Sequence, residues 1–180
     1  MQTLVLMFLG LLVASCSQQP SRAHAASSDC VVIHSISNRN TPDEIFPYVV
    51  TCVSKGEHET ASLLLLLARA YGRYDMTRVF DRTSHQAAVL IERNYFNKDS
   101  PYTYEQAVEF DKARAYLLKP GSLAHDNMCK TIAQIGKPEY YPRYMVLHGA
   151  MGGGENGLEP NFDPNAAWSQ VRKQYLNCET

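Results

Sequence analysis

The chain has 180 residues, with 17 lysines and arginines against 18 acids and a formal charge of −1. With a pI near 6.6, it lacks the excess of cations that a nucleic-acid surface or a polybasic membrane contact requires. Hydrophobic residues make up 45% of it, enough for one core in a domain of about 150 residues.

Residues 4–14 are almost all Leu, Val, Met, Phe, Ala or Gly, a run of the length used by a secretory leader and too short to span a bilayer permanently. The residues Val13-Ala14-Ser15-Cys16 that end it resemble a bacterial lipobox. That resemblance implies a signal peptide over 1–15 and lipidation of Cys16. Because Ser17 follows rather than an Asp, it also implies the periplasmic side of the outer membrane. Ala23-His24-Ala25 offers a competing A-x-A cleavage site, after which the protein would be soluble in the periplasm. The lipobox abuts the apolar run, as processing at a membrane surface requires, and is the preferred reading. Residues 16–29 are small and polar and read as a lipidated flexible tether, so that a single domain occupies 30–180.

Under either cleavage, Cys30, Cys52, Cys129 and Cys178 remain, an even number in an exported chain. Two disulfides are expected. Four cysteines allow three connectivities; Cys30 with Cys52 and Cys129 with Cys178 is the preferred one, since each bond would tie a loose end to a neighbouring helix. No C-x-x-C or H-x-x-x-H spacing occurs, so no metal and no other cofactor is expected.

Past an extended stretch at 30–36, the apolar spacing is helical. Thr41-Pro42-Asp43-Glu44 has the form of an N-cap, a proline at the first helical position and acids in the first turn, which predicts a helix over 41–55 stopped by Gly56. The next, over 57–73, carries Ala61, Leu64, Leu65, Ala68 and Tyr71 and is apolar all round between Leu63 and Leu67, so it belongs at the buried centre. Asp75 is positioned to cap a third helical stretch over 75–93, broken near Thr83-Ser84. Thr103 and Gln106 have capping-box spacing before a helix over 103–118, which Pro120-Gly121 ends. Helices over 122–135, 141–147 and 164–176 follow. The fold predicted is all-α, a compact bundle of six or seven helices with a short extended N-terminal segment, stapled by two disulfides.

Leu64, Leu67, Ala68 and Tyr71 resemble the first helix of a tetratricopeptide or Sel1-type repeat, and Ala-Arg-Ala-Tyr recurs at 68–71 and 113–116. Two units are fewer than a solenoid needs, and Phe80 and Ser84 depart from the second-helix pattern.

Nucleophile motifs such as G-x-S-x-G and S-x-x-K are absent, as is a Walker sequence. Gly152 to Gly157 satisfies G-x-G-x-x-G, yet no strand precedes it, so it reads as a loop. Tyr140, Tyr144 and His148 would share a helical face, with Tyr141 and Arg143 beside them. Tyrosine and arginine in such a cluster have the composition of a protein-binding surface, although the same residues could pack the C-terminal part against the core.

Two functions compete. The first is a non-enzymatic, lipid-anchored protein-binding module of the bacterial envelope; small helical immunity lipoproteins that neutralise periplasmic toxins are similar in size and make-up. Its partner would be another protein, a toxin or an envelope component. The second is a cell-wall hydrolase with His148 as base and Glu155, Glu159 or Asp163 as acid, a reading that lacks a nucleophile or metal at recognisable spacing.

Overall fold

The computed structural model describes residues 29–31, 33–97, 99, 101–150 and 155–179. The leader, Cys16, the tether up to residue 28 and Gly152 to Gly154 lie outside the described residues.

Among the described residues there are seven α-helices: α1 (Pro42–Ser54), α2 (His58–Arg78), α3 (Gln86–Tyr95), α4 (Tyr104–Leu117), α5 (Leu123–Ile135), α6 (Arg143–Val146) and α7 (Pro164–Tyr175). Of the stretch 30–36, expected to be extended, the described residues contain a 3₁₀ turn, Ile33–Ser35, and no strand.

The helix starts follow local chemistry. The Thr41 backbone N–H donates to Glu44 Oε2 at 3.0 Å, with Pro42 at the first helical position, where its missing N–H costs nothing. Thr103 and Gln106 exchange a reciprocal pair of bonds between side chain and backbone at the start of α4, at 2.8 and 3.3 Å. Ser122 accepts from the His125 backbone N–H at the start of α5, and Gly136 ends that helix with φ +92°. Pro47 stands inside α1 and has no N–H to offer the Asp43 carbonyl one turn back. The Tyr95 hydroxyl, reaching over from α3, donates to that carbonyl at 3.3 Å.

α2 is the axis of the bundle, packed against α1, α4, α7 and α3. Leu64 to Leu67 are all buried, as an all-round apolar run demands, with Ile45, Phe46 and Val49 of α1 on one side and Trp168 and Val171 of α7 on another. Tyr71 and Tyr74 close this core against Trp168, ring centroids 5.7 and 6.0 Å apart. The two Ala-Arg-Ala-Tyr stretches sit in unlike surroundings, Tyr71 fully buried on α2 and Tyr116 half exposed on α4, so the sequence likeness is not a structural repeat.

Both disulfides form, Cys30 with Cys52 and Cys129 with Cys178. The first ties the N-terminal segment to α1, the second the C-terminal tail to α5. No helix among the described residues is long and apolar enough to cross a membrane.

α2 departs from its predicted end. It runs straight through Asp75 to Arg78, and only then does the chain turn extended at Val79. Phe80 N–H donates to the Gly157 carbonyl at 3.1 Å and Glu159 N–H to the Arg78 carbonyl at 2.9 Å, pairing this exit with the loop before α7. The cap expected at Asp75 is supplied by Asp81, whose carboxylate accepts from Thr83 N–H at 2.9 Å to open a 3₁₀ turn, Arg82–His85, ahead of α3.

Candidate functional site

At the exit of α2 a second, smaller apolar cluster forms beside the main core. Val79, Ala87 and Met145 are its buried members, with Met76, Ala88, Tyr144, Val146 and Leu158 packed around them. It joins the end of α2, α3 and the one-turn α6 into a corner.

A carboxylate holds this corner together. Asp75 has no exposed surface. Its Oδ1 accepts from Arg78 Nε at 2.8 Å, with Arg78 Nη2 at 2.6 Å, and its Oδ2 accepts from two phenols, Tyr140 at 2.8 Å and Tyr144 at 2.7 Å. An ionised carboxylate has about four acceptor positions; three hydrogen bonds occupy them from both sides, and Arg78 Nη2 adds an ion-pair contact without a hydrogen bond of its own. The Arg78 guanidinium lies between the rings of Tyr74 and Tyr140, 5.0 and 5.1 Å from their centroids. Burial pushes the Asp75 carboxyl above its ordinary value, an effect that Arg78 and the two phenol bonds oppose without cancelling. Burial also raises both phenols, and the negative charge of Asp75 raises them further.

The cluster 140–148 is therefore divided rather than presented as one face. Tyr140 and Tyr144 turn inward onto Asp75, and Tyr140 packs against Tyr71 at 6.1 Å. Tyr141, Arg143 and His148 are exposed. The physical reason is the helix break: Pro142 stands at the N-cap, α6 is four residues long, and Tyr140 lies outside it, so helical spacing does not carry from Tyr140 to His148. Met145 is fully buried in the same turn.

The outward side is apolar at several points. Leu147 is 70% exposed, Phe80 49% and Tyr141 48%. The loop 155–158 links them. Tyr141 hydroxyl donates to the Asn156 carbonyl at 2.7 Å, Phe80 N–H donates to Gly157, and Val146, next to Leu147, packs on Gly157. Gly157 has φ +71°, and a Cβ there would stand 2.8 Å from Val146 Cγ1, so only glycine fits.

Two acids of the hydrolase reading share a cleft that His148 does not line. His148 is exposed. Asp163 caps α7, its Oδ1 accepting from Asn165 and Ala166 N–H groups at 2.9 and 3.0 Å. Glu159 and Asp163 border a cleft of about 360 Å³ with Thr77 and Phe162, and His148 is not in its wall. For Glu155 only the backbone is described, in a 3₁₀ turn, Glu155–Gly157.

Three features escape the sequence reading. Asp75 looks like a cap, yet Tyr74 continues the spacing Leu64, Leu67, Tyr71, a signal that α2 continues past it. His85 looks like a surface partner of Asp81, whereas its Nε2 lies 3.1 Å from the Val79 carbonyl. His125 looks like a first-turn surface residue, but it is 4% exposed and its Nε2 is 2.9 Å from the Leu176 carbonyl. No protein-family model matches this chain, and no curated protein or solved structure is significantly similar to it.

Proposed function

We propose that the chain is an exported, lipid-anchored, non-enzymatic protein-binding module of the bacterial envelope, and that it docks its partner on the outer side of the α6 corner. The observation that carries this reading is the exposure of Phe80, Tyr141 and Leu147 around one loop, on a corner whose inner side is held by a fully buried carboxylate. Large apolar and aromatic side chains presented from a fixed backbone cost little ordering entropy when a partner covers them. Arg143 and His148 add polar contacts at the same place. Asp75 itself is sealed from solvent and engaged by donors, a scaffold for the surface rather than a reacting group. Cys16 would carry the anchor, and a secreted toxin neutralised in the periplasm is one partner of suitable kind.

The test is crosslinking in envelopes of an expressing host, followed by identification of what is captured, with wild type and a Phe80→Glu, Leu147→Glu double variant. Exposed positions of this kind change stability by about 0.5 kcal/mol or less, so the double variant should melt with the wild type and fractionate with membranes as it does. Its capture of the partner should drop at least tenfold. A variant of unchanged stability that captures the same partner as efficiently as wild type would overturn the assignment of this surface.

A further inference from the structure

The second disulfide has a neighbour that the first lacks. His125 and Cys129 lie four residues apart on α5 and so share a face, and the tail after α7 brings Cys178 to the same point. His125 Nε2 is 3.8 Å from Cys129 Sγ, and the three potential ligand atoms lie within 4.8 Å of one another, the only such group of His, Cys, Asp or Glu among the described residues. Tetrahedral zinc, with bonds of about 2.3 Å to sulfur and about 2.0 Å to nitrogen, sets its ligand atoms roughly 3.5 to 3.8 Å apart. The nitrogen and the first sulfur already have that spacing.

We infer that His125, Cys129 and Cys178 form a redox-gated site for zinc, closed while the disulfide stands and opened when an external dithiol reduces it. In the first step the dithiol gives two electrons and two protons to the sulfur–sulfur bond, leaving two thiols and an oxidised cyclic disulfide. In the second, zinc replaces the two thiol protons, and the imidazole supplies the third ligand through the lone pair of Nε2. For that, the ring proton must sit on Nδ1, whose nearest carboxylate, Asp126 Oδ1, is 3.9 Å away, beyond a direct hydrogen bond. In the oxidised form the Leu176 carbonyl, 2.9 Å from Nε2, favours the opposite tautomer.

Access exists on one side. A cleft of about 530 Å³ opens onto His125 and Cys129, bordered by Lys130, Arg172 and Glu179. Arg172 Nε is buried there without a hydrogen-bond partner. Water or the Glu179 carboxylate at this cleft would complete the ligand set. Among the described residues, Cys30 and Cys52 belong to no comparable group.

The experiment uses the complete mature chain, reduced with dithiothreitol without denaturant under anaerobic conditions, freed of reductant and titrated with zinc, or with cobalt(II) as a spectroscopic stand-in. The expected result is one equivalent bound, a thiolate-to-cobalt charge-transfer band, and protection of Cys129 and Cys178 from alkylation, mapped by mass spectrometry. The oxidised chain should give no such band. His125→Gln retains an amide donor for the Leu176 carbonyl and removes the imidazole, and should weaken the metal at least about tenfold; His125→Asn serves the same purpose if the longer amide does not fold. Three outcomes each overturn the inference: a Cys129–Cys178 bond that resists reduction in the folded chain, metal-dependent protection at Cys30 and Cys52 instead, or unaltered cobalt binding in a folded His125 variant.

Discussion

The middle of α2 and its C-terminal end are held by opposite means. Around Leu64 to Leu67 the helix is enclosed by aliphatic and aromatic side chains, and its burial follows from area alone. Two turns later the same helix presents a carboxylate and a guanidinium to the interior, and these recruit Tyr140 and Tyr144 from the far end of the chain. A short element needs more than apolar area to stay folded. A helix of one turn such as α6 cannot form on local hydrogen bonding, because nucleation is unfavourable. Its few apolar contacts, Met145 and Val146 above all, are supplemented by directional bonds to a charge that has nowhere else to go.

The comparison breaks most severely if the charge is removed. Asp75→Ala would strand Arg78 in a buried position and leave two inward phenols without an acceptor, and breaking one side of a buried pair costs about 3 to 5 kcal/mol. The stability lost should be seen in chemical denaturation. Amide hydrogen exchange in α6 should accelerate well beyond that in the middle of α2, which tests whether the corner opens ahead of the core.

Tyr144→Phe asks less of the fold. It keeps the ring in the second cluster and deletes a single hydrogen bond to a charged acceptor, for which about 1.5 to 3 kcal/mol is the expected loss. A double-mutant cycle with Tyr140→Phe should show coupling, because the two hydroxyls share Asp75 Oδ2. Strict additivity would mean that the phenols act independently.

Alkaline pH should produce the mildest change at first. Tyr140 and Tyr144 have folded-state values raised above the ordinary phenol value of 10, so the fold favours their protonated forms. Their contribution is complete below pH 10 and is lost as the pH climbs from there toward the folded values. Stability should fall above pH 10. Ultraviolet tyrosinate titration should reveal phenols that ionise only with unfolding, and Tyr144→Phe should reduce their number by one.

The pattern of helices was legible because its determinants are local. Thr41-Pro42, the Thr103 and Gln106 pair and Ser122 start helices by bonding to backbone within three residues, so the sequence neighbourhood contains both partners. The burial of α2 was legible for a similar reason, since an all-round apolar run has no face to offer water. Both disulfide pairings agreed with the simplest tying of chain ends to neighbouring helices.

Asp75 marks where that legibility stops. An aspartate after an apolar run serves equally well as a cap or as a buried acceptor, and the choice rested on Tyr140 and Tyr144, which lie 65 and 69 residues further along. His125 presents the same difficulty, because the tail that buries it arrives 51 residues later. From the sequence by itself came the all-α class, the starts of α1, α4 and α5 and the buried axis, each set by groups close together along the chain, but not the end of α2 or the start of α3. Only the tertiary structure decided which tyrosines of the cluster 140–148 face the interior and which face solvent, because burying a charge requires donors from wherever the fold can bring them.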